Sequence, residues 1–150
     1  MTGNTRYKPV GGVAHVELFA VQGFARVEDM VQGAGLTIAL MDDGSHYDEH
    51  ISSDHLPVSV QHTLTLCAPR SQASAWFDSD FLAHASAEGV VARIALSSGE
   101  EMMIGWSPKF GFEQALRLRS LQFHSGDRPQ QTPTVELTLC SCDTLSALNK

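Results

Sequence analysis

A chain of 150 residues, 43% hydrophobic and 18% charged, fits one domain. At that size about 68–70% of the unfolded surface is buried on folding, so neither disulfides nor a metal is needed to hold it. A formal net charge of -7 argues against nonspecific nucleic-acid binding, and no apolar run reaches the ~18 residues of a membrane-spanning helix.

The opening "MTGNTRYKPVGG" is polar and ends in Pro and Gly. It predicts a flexible arm over residues 1–12, with no apolar core of the kind a secretory signal has. "VAHVELFAV" then alternates with the period of a strand, Val16, Leu18 and Ala20 on one face and His15, Glu17 and Phe19 on the other. Residues 22–35 read as one helical turn or a loop. "LTIALMDDG" predicts a strand through Leu36, Ile38 and Leu40, closed by a turn at Asp43-Gly44. The polar stretch 42–55 follows and reads as an exposed loop.

"LPVSVQHTLTLC" is the clearest strand. Val58, Val60, Leu64 and Leu66 share a face with His62, a position that suits a hydrogen-bonded core histidine. One helix is predicted at about 72–87, with Ser71 as N-cap, an apolar stripe of Ala73, Trp76, Phe77, Phe81 and Ala85, and Gly89 closing it. "GVVARIALSSGEEMMIGW" is a hairpin in which Val90, Ala92, Ile94 and Leu96 alternate, "SSGE" turns, and Met102, Ile104 and Trp106 return. "SPKFGFEQ" is a loop. In the next strand Leu116 and Leu118 face inward, then Leu121 and Phe123 do so one residue late, which predicts a β-bulge near Ser120. "TVELTLCSCDT" is the last strand, with Val135, Leu137 and Leu139 inward, and residues 145–150 are a fraying tail. Short connections favour antiparallel pairing. The predicted fold is mainly β: an antiparallel β-sandwich or partly closed barrel of about seven or eight strands, with one flanking helix.

The chemistry is sparse. His46, His50, Asp54 and His55 are the one candidate metal set. His46 and His50 converge only on a helix, and in a strand they lie roughly 13 Å apart. The order His-Glu-x-x-His is absent, as are a calcium loop, a nucleophile elbow and a phosphate-binding glycine loop. No catalytic residue and no cofactor is predicted. Cys140 and Cys142 point to the same strand face with Cα atoms nearly 7 Å apart, too far for an easy bridge. With Cys67 they make an odd count of three, which suits reduced thiols inside a cell.

Charge is distributed unevenly. Between Val27 and Pro69 there is no Lys or Arg, while Glu28, Asp29, Asp42, Asp43, Asp48, Glu49 and Asp54 are acidic. Lys109, Arg117, Arg119 and Arg128 come later. Asp48, Glu49 and Asp54 are therefore the expected acidic pole, and Arg117 and Arg119 the basic pole, of contacts between copies.

One block, residues 105–144, carries a resemblance. Its run Gly105-Trp106-Ser107, Phe110-Gly111-x-Glu113, Leu116-Arg117-Leu118, Ser125-Gly126 and Thr132-Pro133-Thr134 resembles uncharacterised proteins of bacterial prophages and related mobile elements. The resemblance implies a phage-related context, and it transfers no catalytic residue. Small β-sandwich or β-barrel domains with a helix, an arm and long loops are typical of phage tail-tube proteins. The expectation is a non-enzymatic, homo-oligomeric structural protein of the cytoplasm or virion, meeting other virion or prophage proteins. The alternatives are a metal-binding or hydrolytic enzyme built on residues 42–55, or a protein-binding module.

Overall fold

Side-chain alternation with a period of two decides the architecture. The structure is a computed structural model that describes residues 12–21, 35–42, 44–53, 59–106 and 115–143. Along the chain these form β1 (Val13–Ala20), β2 (Leu36–Thr37), β3 (His46–Ser52), β4 (Ser59–Pro69), α1 (Ser79–Ala87), β5 (Val90–Leu96), β6 (Glu101–Ile104), β7 (Arg117–His124) and β8 (Thr134–Asp143). Two four-stranded sheets result, in the orders β2-β1-β5-β6 and β3-β4-β8-β7, and every pairing is antiparallel.

The architecture is a β-sandwich with one helix, and the sheets do not close into a barrel. Val16, Leu18, Ala92 and Ile94 of the first sheet are buried in one core with Leu64, Leu66, Leu137 and Leu139 of the second. Burying each such Val, Leu or Ile side chain fully is worth about 1.5–3 kcal/mol, so these inward sets supply much of the stability. The sheets meet at two corners. Val90 and Leu116 exchange both backbone hydrogen bonds (2.7 and 2.9 Å), and the Val13 N–H donates to the Ser45 carbonyl at 2.9 Å.

The bulge lies beside its predicted place. Leu118 pairs with Leu139 and Ser120 with Thr138, so Arg119 is the extra residue. That slip brings Leu121 back to the inner side, where it packs against the core.

Four expectations need correction. Residues 46–52 of the supposed loop are a strand, because their backbone pairs with β4 from His46↔Thr65 to Ser52↔Ser59. The strand predicted over Leu36–Leu40 shrinks to Leu36–Thr37, since the chain leaves the first sheet there and the Met41 N–H donates to the Cys67 carbonyl of the second at 2.8 Å. Trp106 does not continue the inward set of Ile104. Gly105 takes a left-handed φ of 95° and breaks the alternation, and Trp106 packs with Phe19 and Val91 in a separate small cluster.

The fourth correction concerns the helix. Two 3-10 turns, Arg70–Gln72 and Ser74–Phe77, precede α1. Its N-cap is Asp78, whose carboxylate accepts from the Phe81 N–H at 3.1 Å, and Ser71 lies inside the first turn. Trp76 and Ala85 are buried as predicted, but the tighter 3-10 pitch turns Phe77 outward to 38% exposure. There the Arg70 guanidinium carbon lies 5.1 Å from its ring centroid. Gly89 does close the helix, at φ 94°. A Cβ at this position would stand 2.7 Å from the Leu116 carbonyl oxygen.

The arm up to residue 11, residues 22–34, the loop 107–114 and the tail 145–150 lie outside the described residues. No helix among those described is long and apolar enough to cross a membrane.

The capping geometry makes a prediction. Asp78→Ala should lower unfolding stability by about 0.5–2 kcal/mol, whereas Ser71→Ala should stay within about 0.5 kcal/mol of the parent. Urea unfolding of both variants checks this, and equal losses would contradict the assigned cap.

Candidate functional site

Among the described residues, one polar cluster lies inside the sandwich and one charged row lies on the surface of its second sheet. The inner one starts on β3. In an edge strand alternate residues face the core, so Tyr47 and Glu49 turn toward the first sheet while His46, Asp48 and His50 face solvent. Opposite Glu49 stands His62 of β4, which is only 1% exposed.

The three side chains meet at one hydroxyl. Tyr47 Oη donates to Glu49 Oε2 at 2.5 Å and lies 2.5 Å from His62 Nδ1. A phenol has a single proton. If that proton goes to Glu49, the His62 bond must run from Nδ1–H to the phenol oxygen, which fixes the imidazole tautomer. The Tyr47 and His62 rings are nearly parallel, 10° apart, with centroids separated by 6.1 Å.

Burial first, then the hydrogen bond to Glu49 and its negative charge, push the Tyr47 hydroxyl well above the usual tyrosine range. Held in its protonated form, it serves as a fixed donor. Beside it an open cleft of about 230 Å³ is lined by Tyr47, Glu49, Leu96 and Met102. Glu49, expected on the acidic contact surface, is thus turned inward.

The outer feature spans the second sheet. Asp48 pairs with Thr63, Thr63 with Cys140, and Cys140 with Arg117. One cross-strand row therefore runs from an acid on edge strand β3 to a base on edge strand β7, over about 14 Å. The Asp48 side chain is 70% exposed, with His46 Nε2 at 3.4 Å from its carboxylate. Arg117 and the bulged Arg119 are both exposed. Arg117 Nε also donates to the Ala87 carbonyl at 3.3 Å, where a cation suits the negative end of α1.

Of the metal set, His46 and His50 lie on the same outer face of β3, four residues apart, a separation of roughly 13 Å in extended chain. Asp54 and His55 lie outside the described residues. Among those described, no group of three or more His, Cys, Asp or Glu side chains could hold a metal ion. Cys140 and Cys142 share the outer face of β8, and Cys142 Sγ lies 3.0 Å from Ser59 Oγ.

Sequence reading found His62 but missed its partners. The signal was present: Tyr47 and Glu49 are two apart, as the residues of one strand face are, but neither is apolar. No family model, curated protein or solved structure matches the chain.

The tyrosine cluster makes its own prediction. Tyr47→Phe removes the hydroxyl that Glu49 and His62 share and should destabilise by about 1–3 kcal/mol. A raised folded pKa means stability that is fully present below the unfolded tyrosine value of about 10 and is lost as pH rises above it. The parent should therefore lose stability above pH ~10 more steeply than Tyr47→Phe does in parallel urea titrations. Identical pH profiles would contradict the buried bridge.

Proposed function

We propose that this protein is a non-enzymatic structural protein that self-associates through the charged edges of its second sheet, in a phage or prophage context. The observation that carries this reading is the placement of Asp48 and Arg117 at opposite ends of one cross-strand row. Unlike surfaces on opposite sides of a molecule favour head-to-tail contacts, which close into rings or grow into tubes. Opposite charge at the two ends steers such contacts and rejects like edges.

The phage context rests on the resemblance of residues 105–144, a block that spans β7 and β8 and so includes the basic edge itself.

Light scattering across a concentration series tests it. Association should grow with concentration at low ionic strength and fall as salt rises, since exposed charges are screened beyond about 10 Å at 0.1 M. A monomer at high concentration and low salt would sink the proposal.

A further inference from the structure

We infer that Cys140 and Cys142 form a site for one soft monovalent cation, copper(I) in class, held between their two thiolates on the outer face of β8. The site does not depend on self-association.

Geometry separates this pair from a disulfide. The β4–β8 ladder runs without a shift from Val60↔Asp143 to Pro69↔Thr134, through Gln61↔Cys142 and Thr63↔Cys140. Alternation therefore points both thiols to one side, with Cβ atoms about 7 Å apart, two rises of a strand. A disulfide needs about 3.5–4.5 Å between them, so the strand keeps the two thiols from bridging each other. An ion asks for less. With metal–sulfur bonds of about 2.3 Å, the zinc value, two thiolates on opposite sides of one ion stand about 4.6 Å apart. Strand side chains lean along the strand, and two sulfurs leaning toward each other reach that spacing with the backbone unmoved. Both thiols are free, and Cys142 is exposed.

The surroundings select the ion. Zinc takes four ligands, and among the described residues no group of three or more His, Cys, Asp or Glu side chains could hold a metal. Copper(I) favours thiolates and is satisfied by two. On binding, each thiol gives its proton to solvent and each sulfur bonds the ion, so the complex carries one negative charge. Arg117 stands directly opposite Cys140 on β7 and brings one positive charge. Asp48 lies two strands away on the other side, about 10 Å off, where its repulsion is weaker. The Ser59 hydroxyl, with Oγ 3.0 Å from Cys142 Sγ, donates to that sulfur once it is a thiolate.

The experiment titrates copper(I) into the dilute, reduced full chain without oxygen, against a chromogenic copper(I) chelator, with melting temperatures measured alongside. The parent should take one ion per chain and release about two protons for it. Cys140→Ser and Cys142→Ser should each weaken binding by about a hundredfold or more, because the second bond is then no longer intramolecular. Cys67→Ser should leave the affinity unchanged, and Arg117→Gln should lower it about tenfold. Cys140→Ala and Cys142→Ala repeat the test if a serine variant melts early.

Single-thiol variants that bind as tightly as the parent would show ions on separate sulfurs and overturn the site. So would loss of binding in Cys67→Ser, or a parent that binds no more tightly than the variant lacking both Cys140 and Cys142.

Discussion

An open sheet ends in a row of backbone N–H and C=O groups with no strand beside them. That constraint shapes this molecule more than any single side chain. The first sheet leaves β2 and β6 at its margins and the second leaves β3 and β7. β2 has only two residues and β6 four. The second sheet has the long margins, which carry opposite charge, and α1 packs against one of them, β7. The packing that fixes the fold, with inward Leu64, Leu66, Leu137 and Leu139 from the central strands β4 and β8, is also what leaves β3 and β7 outermost.

The buried tyrosine bridge belongs to the same account. An edge strand with mostly exposed side chains has little apolar area to anchor it. Tyr47 and Glu49 anchor β3 through a polar bond to His62 on the neighbouring strand. Because Tyr47 and His62 are far apart in sequence and adjacent in the sheet, the bridge fixes register as well as position: a slip of one residue would turn Tyr47 out and Asp48 in. The inward bridge thus keeps Asp48 on the outer face.

How much of this could be read beforehand depended on contrast between neighbouring residues. β4, β5 and β8 alternate apolar with polar, and their inward sets were legible, as was the bulge from the phase slip between Leu118 and Leu121. His62 stood out because it interrupts an apolar face. β3 was not legible, because both of its faces are mostly polar and hydrophobic periodicity has little to detect. The start of α1 was misjudged for a related reason. Ala73 and Trp76 share a stripe with Ala85 at helical spacing, but Ala73 lies between two 3-10 turns and Trp76 in the second, and the start signal was the Asp78 carboxylate. The opposed poles were visible as composition, while their meeting in one cross-strand row needed the order β3-β4-β8-β7.

The central claim is that the acid on β3 and the bases on β7 draw copies together. Sedimentation velocity of the parent and of Asp48→Lys, at low salt and matched concentration, reads that pairing directly. The account predicts that the parent associates and that the variant, with an unchanged melting temperature, stays monomeric. A variant that associates as strongly as the parent would contradict it.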